Sequence, residues 1–156
     1  MSRALSLAKE GVGDVWPNPS VGCLIVLNDC VVGEGHTAKG GRPHAETIAL
    51  KIAGKKAKGA VAYVTLEPCA HKGETEPCVK ALVQAGIKKI IYSVKDPDPR
   101  VSGNGEIFLK SNGIEVIHGL MEKEALDINE GFFKKIKTGL PFVTLKFGTS
   151  EDGKIA

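Results

Sequence analysis

Thr65-Leu66-Glu67-Pro68-Cys69-Ala70-His71-Lys72-Gly73-Glu74-Thr75-Glu76-Pro77-Cys78 closes an apolar run and sets two thiols on either side of a polar loop of eight residues. Upstream of it stands Pro43-His44-Ala45-Glu46. The run at 60–66 is almost continuously apolar, the pattern of a strand buried on both faces. Such a strand delivers Glu67-Pro68-Cys69 at its C-terminal end, where open α/β sheets place their ligand sites. Pro77 then reads as the first residue of a helix, with Val79, Leu82 and Val83 inward and Gly86 as its stop.

The flanking chain supplies the other layers. Residues 2–12 read as a helix with Ser2 as N-cap and Leu5, Ala8 and Val12 on one face. In Trp16-Pro17-Asn18-Pro19 each proline pushes its predecessor out of the helical region, which holds Asn18 in a fixed turn. The β-branched runs at 21–27 and 30–35 flank Asn28-Asp29, a hairpin signal. A loop at 36–43 leads to a helix at 44–53, where Ala45, Ile48, Ala49, Ile52 and Ala53 form an apolar stripe. Strand 89–94, helix 103–112 and strand 114–118 form a unit whose length implies a parallel pair with a right-handed crossover. Residues 122–136 read as one helix burying Ala125, Ile128, Phe132 and Ile136, and residues 141–147 as a last strand.

Composition bounds the function. The chain has 156 residues, 42% hydrophobic and 25% charged, with a net charge of +3. That describes one globular domain with a real core, and the mild charge with no basic stripe argues against polymeric nucleic acid as a partner. The longest uncharged stretch, 15–28, is broken by two prolines and cannot span a membrane. Four cysteines without a signal-peptide pattern point to a reducing, cytoplasmic setting, where metal binding is a better use of thiols than disulfides.

His44, Cys69 and Cys78 are a candidate zinc ligand set. Two thiols and an imidazole suit zinc, and three protein ligands leave a fourth position for water. Glu46 lies two residues from His44, where its carboxylate can handle that water's proton. Cys78 at a helix start gains thiolate character from the helix N-terminus. Cys23 reads as a buried apolar residue and Cys30 as a turn or edge thiol. A purely structural zinc would need a fourth ligand, which His71 or His36 could supply, but His71 in its polar loop reads better as a substrate contact.

Together, His-x-Glu, Pro-Cys and the second Cys resemble the zinc-dependent cytidine-deaminase-like enzymes, although here eight residues separate the thiols in place of a Cys-x-x-Cys spacing. The motifs NPSVG, GGRPHAET, VTLEPCAHKGETEPC, DPDPRVSGNG and TGLPFVTLKFGTSEDGKIA resemble one family over nearly the whole chain, the bacterial bifunctional deaminase–reductases of riboflavin biosynthesis. The resemblance implies a three-layer α/β/α sandwich around a five-stranded mixed sheet. It divides the chain into a deaminase domain at 1–139 and the start of a reductase domain at 140–156. It further implies metal-assisted hydrolysis of a diaminopyrimidinone that carries a phosphoribosylamino group, with Glu46 as the proton carrier and Zn2+ on His44, Cys69 and Cys78.

By the same resemblance Asn18, His71 and Asp98 contact the substrate, and His36 lies near a family histidine. Glu74 departs from the family, which usually has Lys or Arg there to meet the phosphate. Lys72, two residues away, is the nearest replacement. The expected partners are a small pyrimidine nucleotide, a second copy of the chain and a separate reductase. Two rivals remain: a deaminase of another pyrimidine or purine base, and a deaminase-fold binding module with structural zinc and no turnover.

Overall fold

The computed structural model describes residues 1–71, 73, 75–98 and 102–155. Five strands form one mixed sheet: β1 (Gly22–Leu27), β2 (Cys30–His36), β3 (Val61–Leu66), β4 (Lys89–Val94) and β5 (Glu115–His118), in the order β2-β1-β3-β4-β5. β1 runs antiparallel to both β2 and β3, whereas β3, β4 and β5 are mutually parallel, as the strand–helix–strand spacing requires. Asn28 and Asp29 both take left-handed φ, 49° and 61°, the conformation of a tight two-residue hairpin.

Helices cover both faces. α1 (Ser2–Glu10) packs on β1 and against α5 (Glu122–Ile128), which lies on β4. Opposite them, α2 (Ala45–Ala53) lies on β1 and β2, touching α3 (Cys78–Gln84), which in turn touches α4 (Asn104–Ser111). The period-2 alternation of β1 feeds both layers: Cys23 and Ile25 join the large core, and Leu24 packs with Ala4 and Leu7 of α1. β3 and β4 each carry a buried apolar run, with Ala62, Val64, Ile90 and Tyr92 fully enclosed, whereas β5 at the sheet edge is largely exposed.

α2 sits unusually close to β2 because two glycines permit it. A Cβ on Gly33 would overlap the Ala49 carbonyl, and one on Gly35 would lie 2.7 Å from Ile48. This contact fixes the start of α2, and therefore His44 and Glu46, against the sheet.

Several boundaries differ from the sequence reading. His44 is the N-cap of α2, in extended geometry, and Pro77 is the N-cap of α3 with Cys78 as its first residue. Ser2 already lies inside α1, whose N-cap is Met1 without a side-chain bond. Val12 and Ile52, expected on buried stripes, are exposed because the first lies beyond α1 and the second on the outer side of α2. The single helix expected over 122–136 is two, α5 and α6 (Glu130–Thr138), broken at Asn129.

At the break stands a long-range clamp. Asn129 Nδ2 donates to the Ser20 carbonyl and Ser20 N–H donates to Asn129 Oδ1, both at 2.8 Å and both buried. The strand expected at 141–147 does not form, since no strand among the described residues pairs with it. Residues 140–155 are exposed, with one isolated bridge between Thr149 and Ile155.

Candidate metal centre and pocket

The ends of three elements meet at one point. The N-cap of α2 brings His44, the chain after β3 brings Cys69, and the first residue of α3 brings Cys78. His44 Nδ1 lies 3.3 Å from Cys78 Sγ and 3.7 Å from Cys69 Sγ. All three ligand atoms fall within 4.8 Å of one another. Around a tetrahedral zinc, with bonds of about 2.0 Å to nitrogen and 2.3 Å to sulfur, neighbouring donors stand roughly 3.5–3.8 Å apart. One imidazole and two thiols at these separations fit Zn2+. Among the described residues no fourth His, Cys or carboxylate joins them, the arrangement of a site that keeps a position open.

The local electrostatics already favour a cation. The Cys78 thiol, the nearby His44 ring and the Cys78 N–H draw the Cys69 thiol far below its usual range, against the effect of burial. Its hydrogen bond to Cys69, followed by burial, pushes the Cys78 thiol up. The pair therefore gives up its first proton readily and its second only when a cation arrives. His44 is shifted upward by its bond to Cys69, partly offset by burial. Glu46 is 4% exposed, and burial pushes its carboxyl above the usual range, with the Cys69 charge acting in the same direction.

A cavity of about 260 Å³ opens beside the cluster, with Asn18, Arg42, His44, Glu46, Cys69 and His71 in its wall. Asn18 is held there by its Nδ2 donating to the Gly41 carbonyl at 2.7 Å. His71 Nδ1 is buried and makes no hydrogen bond, an unsatisfied polar atom on a cavity wall. Asp98 also lines the cavity, and its N–H donates to Asp96 Oδ1 at 2.8 Å. Lys72 and Glu74 lie outside the described residues. His36 is not in the wall. It faces Glu10 at 3.8 Å, at the far end of β2 from the hairpin.

Other wall residues were not singled out from the sequence. Glu67 is buried and accepts backbone N–H groups from Asp96 at 3.4 Å, Gly103 at 3.1 Å and Glu106 at 3.3 Å. It pins the loop after β4 and the start of α4 to the end of β3. Gly105 allows the close approach, because a Cβ there would overlap the Pro68 carbonyl. Burial pushes the Asp96 carboxyl up to about 6. Phe132 and Ile136 close one side from α6, one turn apart on the same face. Helical spacing marked both as apolar, but nothing local marked them as facing a cavity.

This geometry suits a hydrolase site built at the end of a parallel sheet, with three residues placed to hold a metal ion and a buried carboxylate beside them. The sequence pattern of the family described as the cytidine and deoxycytidylate deaminase zinc-binding region matches residues 1–94. The chain belongs to that deaminase family, which binds zinc. A diaminohydroxyphosphoribosylamino-pyrimidine deaminase of Buchnera aphidicola from Schizaphis graminum is 54% identical over 141 residues, covering 90% of this chain and 96% of the relative. The riboflavin biosynthesis protein RibD of Escherichia coli is 52% identical over all 156 residues. The chain spans 42% of that relative's length. The structure of Acinetobacter baumannii RibD superposes with a TM-score of 0.93 at 51% identity, over 97% of this chain and 43% of that one. The three-layer fold and five-stranded mixed sheet expected from the resemblance are those observed.

Proposed function

We propose that the chain hydrolyses the ring amine of a diaminopyrimidinone bearing a phosphoribosylamino group, releasing ammonia and the corresponding aminouracil. The observation that carries this reading is the open three-ligand cluster beside buried Glu46, in a chain that aligns along 96% of a relative named for that deamination. When bound, Zn2+ on His44, Cys69 and Cys78 supplies Lewis acidity that lowers the pKa of water. Glu46 moves the protons. It takes one from water and delivers it to a ring nitrogen, which makes the adjacent carbon more electrophilic. A C–O bond forms to the water oxygen; Glu46 then takes the remaining proton of that new hydroxyl and passes it to the amine, so that the C–N bond breaks, ammonia leaves and a carbonyl is left in its place.

Burial of Glu46 suits this shuttle, because a raised pKa brings the carboxylate closer to the proton affinities it must match. Asn18 and Asp98, both in the cavity wall, orient the ring, and His71 offers its unsatisfied Nδ1 to the substrate. Lys72 adds positive charge from the loop between the thiols. His36, beside Glu10, has no part in this reading.

Residues 1–139 form the deaminase unit in this scheme, and 140–156 begin a reductase unit, in keeping with the exposed Phe142, Val143, Leu145 and Phe147. A second copy of the chain and a separate reductase are the expected partners, in a cytoplasmic setting. No helix among the described residues is long and apolar enough to cross a membrane. Conversion of the phosphoribosylamino compound, followed by mass and by ammonia yield, tests the proposal. An unchanged compound in the presence of zinc-loaded protein would refute it.

A further inference from the structure

We propose that Arg42 is the residue that reads the substrate's phosphate, a role that rests on the deamination proposed above. A phosphate carries up to two negative charges, and the cavity is otherwise acidic: Glu46, Glu67, Asp96 and Asp98 all line it. Among the described residues in its wall, Arg42 is the one side chain with a permanent positive charge. Of the described wall residues it is therefore the one whose fixed charge attracts a phosphate against those four carboxylates.

Arg42 is also placed by the loop that the two metal-binding thiols bracket. Its backbone is extended, φ −146° and ψ 145°, between the 3-10 turn Lys39–Gly41 and the N-cap His44. Its Nη1 donates to Thr75 Oγ1 at 2.6 Å. A Cβ on Gly73 would stand 3.3 Å from its Nη2, so the loop backbone lies close against the guanidinium. A guanidinium presents five donors in a planar fork, which lets it hold a threonine hydroxyl and a phosphate together. Bidentate pairing with phosphate oxygens is the geometry in which arginine exceeds lysine. The position is two residues from the ligand His44, so the phosphate and the reacting ring would be registered by one short segment.

The test compares the phosphoribosylamino substrate with its phosphate-free ribosylamino counterpart, in zinc-loaded wild type, Arg42→Met, Thr75→Val and Lys72→Met. Arg42→Met should lower the ratio of kcat/KM for the two compounds about 10–100-fold, chiefly through KM, the size expected for lost hydrogen bonds to a charged group. Thr75→Val keeps the charge and should leave the ratio within a few-fold. An equal loss on both compounds would mean that Arg42 only braces the loop, and loss of the ratio in Lys72→Met alone would assign the phosphate to Lys72. Either result overturns the proposal.

Binding of ribose 5-phosphate, followed by titration calorimetry, separates this claim from the deamination itself. Should neither compound be turned over, the proposed function fails. The Arg42 assignment then stands if Arg42→Met weakens ribose 5-phosphate binding at least tenfold. It falls if wild type and variant bind alike.

Discussion

The backbone N–H of Cys78 donates to Cys69 Sγ at 3.3 Å, so the first turn of α3 is bonded to the thiol that ends the β3 segment. A second link runs the same way, from Val79 N–H to the Cys69 carbonyl at 3.3 Å. The loop of eight residues between the thiols is therefore closed at its base by the protein itself. Zinc completes a junction whose two sides already touch.

Cys69→Ser removes the thiol that this junction polarises. Zinc should fall from about one ion per chain to well below half, because the remaining donors are one imidazole and one thiol. Metal analysis after dialysis reads this directly. Full occupancy would show that the ligand set is wrong.

Glu46→Gln keeps the size of the side chain and removes its ability to carry a proton. Folding and zinc content should be preserved, and kcat should drop about 10²-fold or more. Near-normal turnover in the variant would exclude Glu46 as the proton carrier.

Asp96 gives the protein a specific pH signature in its metal-free form. Its carboxyl is held at about 6 in the fold by burial, against an ordinary 3.8. Between those values the folded chain keeps a proton that the unfolded chain has released, so stability falls as pH rises through the interval. The loss reaches roughly 2–3 kcal/mol above pH 6. Asp96→Asn retains the acceptor for the Asp98 N–H and carries no charge. Urea midpoints should be higher for the variant at pH 7.5 and similar to wild type near pH 3.5. A variant no more stable than wild type at pH 7.5 contradicts the assignment.

Asn129→Ala leaves the buried N–H and carbonyl of Ser20 without partners. The expected cost is about 2–4 kcal/mol of stability, seen as a lower urea midpoint. If Asn129→Ala unfolds at the wild-type midpoint, the clamp contributes nothing to stability.

The ligand set was legible because it sits at places that sequence marks strongly. A buried apolar strand, two prolines before helices and three soft donors are all local signals. The antiparallel hairpin and the parallel pair followed from turn residues and connection length in the same way. What was missed depends on partners far along the chain. Asn129 looks like any helical surface residue until Ser20, 109 positions away, is placed beside it.

The segment at 141–147 failed as a strand for a related reason. Alternation describes a side-chain pattern, but a strand also needs a neighbour to take its hydrogen bonds, and none of the described strands does. Arg42 was read as part of a loop. Only the folded chain puts it in the cavity wall, with its guanidinium bonded to Thr75.

Ammonia release by the purified, zinc-loaded chain tests the central claim most directly, with the phosphoribosylamino diaminopyrimidinone, cytidine and guanine offered in parallel. Release from the first at a kcat/KM at least about 10²-fold above the other two is the predicted result. Preference for cytidine or guanine, or no ammonia from any of the three with zinc in place, would contradict it.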